Sequence, residues 1–175
     1  LRKFEETDPA AGDFLGQTCR LWEESIEPVT GIGKRLVKLR IGIVLSREGG
    51  ALKELMKPLR FGIAAILGSG RQIISWIHID DLVGMFIAAI ENENMRGVYN
   101  AVAPNPVSNR ELVLALARSR KKFFIPLRVP SFFLKLLLGE MSIEVLKSAT
   151  VSAEKILLTG FQFRYPEIRS ALNID

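Results

Sequence analysis

The sequence is poor in the residues that build disulfides and transition-metal sites, with one cysteine, Cys19, and one histidine, His78, in 175 residues. A single cysteine forms no internal disulfide, and one thiol with one imidazole supplies too few soft ligands for a zinc or iron-sulfur centre. We therefore expect no bound metal. Because nothing in the cysteine content requires an oxidising compartment, we expect a cytoplasmic protein.

Long apolar runs are also lacking. The longest, residues 129–138, contains Pro130, Ser131 and Lys135 and is too short to cross a bilayer, so no membrane partner is expected. The first eight residues lack the basic start and apolar core of a signal peptide, and a chain that starts at leucine is typical of a segment from within a longer protein. With 48% hydrophobic residues and no low-complexity stretch, the composition indicates one globular domain.

The common nucleotide and nucleophile motifs are missing as well. The chain has no G-x-G-x-x-G after a strand, no P-loop and no G-x-S-x-G. Gly31-Ile32-Gly33 follows a predicted helix and precedes a predicted strand, which is the wrong order for holding a pyrophosphate at a helix N-terminus. We interpret that tripeptide as a turn.

The positive charge is concentrated in one segment. The formal net charge is +5, yet between Arg110 and Lys135 seven cations face a single acidic residue, Glu111. Such a segment suits phosphates or nucleic acid, but the solvated end of a helix gives the same pattern because cations are favoured at a helix C-terminus. We favour the solvated helix end, so a nucleic-acid partner is not expected.

Helical and strand patterns alternate along the chain, which predicts an α/β fold. Asp13 is placed to cap a helix whose apolar residues recur at steps of three and four, and Ser108 with Glu111 forms a capping box before another. Residues 36–45 form a nearly continuous aliphatic segment, as in a parallel strand covered on both faces. Further helices are predicted at 51–61, 81–91, 131–138, 142–147, 152–159 and 166–172, and further strands at 73–79 and 97–103.

Polar chemistry is concentrated in residues 68–82. Arg71 follows two glycines, and its planar guanidinium matches two oxygens of a phosphate or carboxylate. His78 lies between two isoleucines, where a hydrogen-bonded core histidine is more common than a general acid or base. Asp80 and Asp81 are adjacent and share no helical face, so we expect Asp80 to cap the helix at 81–91 rather than form an acid/base pair.

Seven motifs occur in this order: Leu39-Arg40-Ile41-Gly42-Ile43-Val44-Leu45, Leu67-Gly68-Ser69-Gly70-Arg71-Gln72, Trp76-Ile77-His78-Ile79-Asp80-Asp81-Leu82, Gly97-Val98-Tyr99-Asn100-Ala101, Pro106-Val107-Ser108-Asn109, Leu138-Gly139-Glu140-Met141 and Gly160-Phe161-Gln162-Phe163. Their order and spacing resemble the C-terminal half of extended short-chain dehydrogenase/reductases. Within these, they resemble the atypical epimerase family proteins, known as NAD-dependent epimerase/dehydratases or sugar-nucleotide epimerases.

The resemblance implies part of a Rossmann-like fold with a small, mostly helical lobe. Residues 1–46 would be the last helix and strand of the Rossmann-like core. Residues 47–175 would form the substrate-binding C-terminal lobe, with short strands returning to the core. The glycine-rich N-terminal half, which carries the main dinucleotide loop, is absent from this chain.

The resemblance also implies site residues. Gly42, Ile43 and Val44 match the strand-end turn that flanks the nicotinamide of NADP or NAD. Arg71 matches an arginine that often meets substrate phosphate, and His78 with Asp81 matches a motif that ties the substrate lobe to the sheet. The predicted substrate-binding residues are Arg71, Ser75, Trp76 and His78.

One departure from the family concerns catalysis. Catalytic members carry a Tyr-x-x-x-Lys pair on the helix before the strand at 36–45, and alignment on Glu23 places these positions at Leu15 and Cys19. Leucine has no proton to give, and cysteine lacks the ammonium that lowers the tyrosine pKa. The apolar stripe of this helix predicts that Leu15 and Cys19 face inward.

The resulting prediction is an NAD(P)-dependent epimerase/dehydratase-like oxidoreductase acting on an unknown small molecule, such as a sugar nucleotide. Two alternatives stay open. One is a non-catalytic dinucleotide-binding sensor, and the other is a nucleic-acid-binding module built on the basic segment. A homo-oligomer or pairing with the missing N-terminal half is also expected, because an uncovered strand edge invites association.

Overall fold

The computed structural model describes residues 2–173. It alternates helices and short strands along the chain. The helices are α1 (Phe14–Ile26), α2 (Gly50–Leu59), α3 (Ile79–Glu91), α4 (Asn109–Ser119), α5 (Ser131–Leu138), α6 (Met141–Leu146), α7 (Glu154–Leu157) and α8 (Ile168–Ala171), with a 3₁₀ turn at Glu27–Ile32. The strands are β1 (Val37–Ile41), β2 (Ile43–Leu45), β3 (Ile63–Leu67), β4 (Ile73–Ile74), β5 (Trp76–His78), β6 (Gly97–Ala101), β7 (Val107–Ser108) and β8 (Ile125–Val129).

The strands pair mainly in parallel. β1 pairs with β6, β2 with β5 and β3 with β8 in parallel registers, while β4 and β7 form a short antiparallel pair. Parallel neighbours need a crossover connection, and each parallel pair is separated along the chain by at least one helix, as β2 and β5 are by α2. The predicted α/β class with parallel strands is therefore confirmed.

Gly42 marks the point where one extended segment changes strand partners. Its N–H donates to Ala101 O at 3.1 Å, and the next N–H, from Ile43, donates to Ser75 O at 2.9 Å. A Cβ atom at Gly42 would lie 2.6 Å from Ser75 O and 2.7 Å from Val102 Cγ1. Only glycine lets the three backbones approach this closely.

Two apolar clusters form the core. The first lies between α2, β3 and α4, where Leu52, Ile66 and Leu112 are buried together with Trp76. The second packs α3 and α7 against β6, and Met85 and Ile156 are fully buried in it. The polar segment at 68–82 therefore connects the two clusters, because Trp76 belongs to one and Ile77 to the other.

The outer edge of β6 is covered by side chains rather than by a strand. The Glu6 carboxylate accepts the N–H of Asn100 at 2.8 Å, and Lys155 Nζ donates to Val98 O at 2.6 Å. Phe4 holds the N-terminal segment nearby through a bridge to Val151. These contacts satisfy main-chain groups that an edge strand otherwise leaves open.

Several local predictions are confirmed, two are wrong and one strand pair was missed. Asp13 and the Ser108–Glu111 box cap their helices as expected. Asp80 does not cap α3, because His78 is in extended conformation there and its Nδ1 accepts the Asp80 N–H at 3.1 Å. The segment at 36–45 is not covered on both faces, because only Leu45 is buried among its residues. The pair β3–β8 was not predicted.

Candidate functional site

The two positions that match the family's catalytic pair lie on an exposed face of α1. The side chain of Leu15 is 47% exposed and Cys19 is also exposed, so the prediction that both face inward is wrong. The helix has no buried residue, although its apolar residues follow the helical period. The described residues place no apolar surface over that stripe, and polar contacts hold the helix instead.

One of these contacts joins the C-terminal part of α1 to β1. Arg40 Nε lies 2.6 Å from Glu23 Oε1, and Arg40 Nη2 lies 3.0 Å from Glu23 Oε2, a bidentate pair. The hydrogen bond from Arg40 is the main reason that the pKa of Glu23 lies below its ordinary value. The sequence pattern around Glu23 did not predict Arg40 as its partner.

A second contact joins the start of α1 to the C-terminal lobe. Lys147 Nζ, directly after α6, lies 2.6 Å from Asp13 Oδ2, while Asp13 Oδ1 caps the helix by accepting the Gly16 N–H at 2.8 Å. The hydrogen bond from Lys147 lowers the pKa of Asp13. Leu15 therefore lies two residues from an ion pair that brings α6 to α1.

Gly42, Ile43 and Val44 follow directly from β1. The side chain of Ile43 is 44% exposed, and that of Ile41 is similarly open. The surface here is apolar, and its main chain is fixed by the partner change at Gly42. An open apolar surface beside a rigid strand end suits the face of a nicotinamide ring, so these residues fit the predicted cofactor on that side.

Arg71 lies on a loop whose backbone requires glycine on both sides of Ser69. Gly68 and Gly70 have φ values of 57° and 71°, and a Cβ at Gly68 would lie 2.7 Å from Leu146 Cδ2 of α6. The N–H of Arg71 donates to Ser69 Oγ at 3.2 Å, and its side chain is exposed. Among the described residues its guanidinium has no acidic partner, so it is free to take an anion.

The other three predicted substrate residues use their polar atoms within the chain. Ser75 Oγ donates to Ala149 O at 2.8 Å, and the buried Trp76 Nε1 donates to Asn105 O at 3.0 Å. The His78 ring caps α3 and packs on Tyr165 with 4.0 Å between centroids. Their contact with a substrate stays a prediction.

Asp81 is a buried carboxylate with a clear structural task. Its Oδ1 accepts the Arg164 N–H at 2.7 Å and its Oδ2 accepts the Tyr165 N–H at 3.0 Å. The carboxylate thus fixes the chain after α7 to the first turn of α3. The partners lie more than 80 residues away in sequence, so only the family resemblance pointed to this role.

Neither a metal-binding cluster nor a membrane-spanning helix is found in the part of the chain that is described. Residues 2–173 contain no cluster of three or more His, Cys, Asp or Glu side chains suited to a metal ion. None of the described helices combines the length and the hydropathy that a membrane crossing needs.

Comparison with known proteins gives consistent matches. Residues 129–173 match a family described as a domain of unknown function, DUF1731. The epimerase family protein YfhF of Bacillus subtilis is 36% identical over 170 residues, which are 97% of this chain and 55% of that protein. The chain spans about half the length of the curated relatives it matches.

Solved structures agree. The human epimerase family protein SDR39U1, isoform 2, solved with NADPH, is 34% identical with a TM-score of 0.89, over 98% of this chain and 58% of that one. The nucleoside-diphosphate sugar epimerase of Corynebacterium glutamicum is 29% identical with a TM-score of 0.77, over 99% of this chain and 33% of that one. The predicted resemblance and the Rossmann-like fold class are confirmed.

Proposed function

Because this chain matches about half of an epimerase family protein along nearly its whole length, we propose that it supplies the substrate side of a nicotinamide-dependent oxidoreductase site. The observation that carries the proposal is the 0.89 TM-score to a relative solved with NADPH, combined with the open apolar strand end at Gly42 and Ile43. The reaction is of the epimerase/dehydratase type on a small molecule.

The cofactor in this proposal is NADP or NAD. When bound, it supplies a hydride donor or acceptor at its nicotinamide ring. Gly42, Ile43 and Val44 hold one face of that ring, and the fixed strand junction sets where it lies. The chain has no glycine-rich pyrophosphate loop of its own, so these residues orient the nicotinamide and contribute little to overall affinity.

The substrate class follows from Arg71. A free guanidinium on a loop packed against α6 suits a phosphate or carboxylate, and a sugar nucleotide carries such groups. We propose that Ser75, Trp76 and His78, which follow this loop in the chain, complete the substrate site. We further propose that residues 1–46 serve the Rossmann-like core and residues 47–175 the substrate lobe, since β5 and β6 return to pair with β2 and β1.

A second candidate function, dinucleotide binding without catalysis, is supported by Leu15 and Cys19. Neither side chain supplies the proton transfer of the Tyr-x-x-x-Lys pair, so the protein would bind a dinucleotide without turning it over. The two candidates differ in one measurable property, which is hydride transfer.

The experiment uses the complete natural protein and NADPH deuterated at its transferable position. Panels of sugar nucleotides and carbonyl compounds are screened by mass spectrometry for deuterium gain. Transfer supports the oxidoreductase. In the Arg71→Met variant, KM should rise about tenfold or more, as expected for a lost charged hydrogen bond of about 1.5–3 kcal/mol. Arg60→Met, an exposed arginine elsewhere, is the matched control.

The other outcomes are equally informative. NADPH binding without transfer to any panel member supports the sensor, and the Leu15→Tyr/Cys19→Lys variant then tests whether the missing pair is the cause. If the complete protein binds neither NADPH nor NADH, both candidates are wrong.

A further inference from the structure

Two acid-free segments meet in the C-terminal lobe. Residues 58–79 and 112–139 together hold eight of the 24 cations and none of the 19 acidic residues. The pairing of β3 with β8 brings them side by side, with Ile63 opposite Ile125. Apart from Arg71, these cations lie outside the proposed site, and they give the lobe a second positive surface.

The loops that precede β3 and β8 form one corner of this surface. The Ile125 N–H donates to Gly62 O at 2.8 Å, and an ideal Cβ at Gly62 would lie 3.5 Å from Phe123 O. We call residues 60–62 and 121–123 the loop pair. Its two loops are in direct contact, so their side chains form a single surface.

The loop pair presents two phenylalanines to solvent. Phe61 is 84% exposed and Phe123 is 86% exposed, whereas their neighbours Leu59 and Phe124 pack against the core. Each loop is thus anchored by one apolar side chain while another protrudes. Exposed aromatic residues cost solubility, and two on adjacent loops indicate a contact surface.

The protruding phenylalanines are surrounded by cations. Arg60, Lys121 and Lys122 belong to the loop pair itself, and Arg118 and Arg120 lie at the end of α4 beside it. All five are exposed, and none has an acidic partner within 4.0 Å among residues 2–173. Their charge is therefore available to an external partner.

We propose that the loop pair docks this protein onto an anionic lipid surface, with Phe61 and Phe123 inserted among the acyl chains and the cations against the headgroups. Apolar side chains that protrude among cations bind a membrane interface by combining burial with electrostatic attraction. A surface contact of this kind needs no spanning helix. It refines the expectation that no membrane partner exists, which rested on apolar runs too short to cross a bilayer.

Two other occupants fit less well. A second copy of the chain would bring two positive surfaces together, and like charges across an interface disfavour association. A nucleic acid would match the cations and could stack on the phenylalanine rings, but the exposed Ile125 and Leu127 that follow the loop on β8 extend the apolar surface without a ring or a hydrogen-bonding group for further bases. Aliphatic side chains beside the phenylalanines suit hydrocarbon.

The test is flotation of the monomeric chain with vesicles of equal parts phosphatidylcholine and phosphatidylglycerol, and with vesicles of phosphatidylcholine alone. We expect binding to the anionic vesicles, loss of binding as salt rises, and little binding to the neutral ones. Lys121→Gln/Lys122→Gln should weaken the partition coefficient about thirtyfold, which corresponds to about 2 kcal/mol for two cations near the surface. Phe61→Ser/Phe123→Ser should weaken it by a similar factor or more.

Matched controls come from exposed residues elsewhere on the chain. Lys34→Gln/Arg96→Gln removes two exposed cations near the start of β1 and β6, and Ile32→Ser/Leu158→Ser removes two exposed apolar side chains. Both controls should float like the parent. Circular dichroism verifies that each variant is folded, which we expect because the substituted side chains lie in solvent.

Several results would overturn the proposal. One is equal binding to neutral and anionic vesicles, and another is no vesicle binding at low salt. A third is a loss of vesicle binding in the control variants as large as the loss in the loop-pair variants. Tighter binding of a single-stranded oligonucleotide than of anionic vesicles would assign the surface to nucleic acid. A dimer in sedimentation velocity that Phe61→Ser/Phe123→Ser dissociates would assign it to a second copy.

Discussion

Lys147 and Asp13 lie 134 residues apart in sequence, and yet Lys147 Nζ is 2.6 Å from Asp13 Oδ2. The pair joins the lobe that carries Arg71 to the helix that carries Leu15. Because α1 has no buried residue, polar contacts set its position at both ends. The Lys147–Asp13 pair lies at its start, and Glu23 with Arg40, together with Lys38 on Glu23 and Glu27, lies at its end.

The first prediction concerns that pair. Lys147→Met should raise the amide exchange rates of the first turn of α1, because the helix start loses its contact with α6 while Asp13 keeps its cap on Gly16. Hydrogen exchange with mass spectrometry measures the effect. Lys57→Met, which removes an ion pair internal to α2, should leave α1 exchange unchanged. Equal exchange in parent and Lys147→Met would show that the contact does not hold α1.

The second prediction is the pH dependence of the same pair. The pKa of Asp13 is lowered by its bond to Lys147, so its contribution is complete above the ordinary value of 3.8 and is lost as pH falls through the folded pKa. The pKa of Lys147 is raised, so its contribution is complete below 10.5 and is lost as pH rises through its folded pKa. The difference in Tm between parent and Lys147→Met should therefore be constant near neutrality and shrink at both extremes. A difference that grows in acid would contradict this assignment.

The third prediction compares two adjacent aspartates. Asp81→Asn should lower the free energy of unfolding by about 2–4 kcal/mol, because a buried carboxylate that accepts two N–H groups is replaced by an amide that accepts fewer. Asp80→Asn, on an exposed neighbour, should change it by about 0.5 kcal/mol or less. Urea unfolding of both variants gives the comparison, and similar losses would mean that Asp81 is not the tie between α3 and the chain after α7.

The fourth prediction concerns the strand junction. Gly42→Ala should destabilise the fold by about 1–3 kcal/mol, because the new Cβ would lie 2.6 Å from Ser75 O and the strands must move apart. Gly12→Ala, where a Cβ meets open space and φ is not positive, is the control and should be near neutral. Thermal denaturation distinguishes the two, and an unaffected Gly42→Ala would show that the junction is loose.

The fifth prediction concerns cofactor binding by the chain alone. Calorimetry with NADPH should give weak binding, in the high micromolar range or above, on the order of a few kcal/mol weaker than a complete dinucleotide site. The reason is that residues 42–44 hold only the nicotinamide side in our proposal. Tight binding by the isolated monomer would place a phosphate site within these 175 residues.

Local signals in the sequence predicted the helix starts well. A cap needs only a side chain and an N–H two or three residues away, so Asp13 and the Ser108–Glu111 box were readable without tertiary information. The cap on α3 was predicted at Asp80 because aspartate is a common N-cap residue. The ring of His78 reaches the N–H two residues on, which short-range propensity did not indicate.

Long-range contacts were less accessible. The tie from Asp81 to Arg164 and Tyr165 joins distant segments, and only the family resemblance suggested it. The pair β3–β8 escaped prediction because Ile63–Leu67 has no alternation and Pro126 interrupts β8, and parallel pairing depends on the crossover between strands. The exposure of Leu15 could not be predicted from the sequence either. An apolar stripe indicates that one face of a helix favours burial, but it does not show which segment packs against that face.

The side chains of Glu6 and Lys155 have a consequence for assembly. They hydrogen-bond the outer main-chain groups of Asn100 and Val98, so a further strand cannot pair with these groups on that side of β6. β1 has β6 as its one strand neighbour among the described residues, so no described strand pairs with its far side. Growth of this sheet is thus one-directional, and any polypeptide that extends it by main-chain pairing must arrive beside β1, next to the strand end where the nicotinamide is proposed to lie.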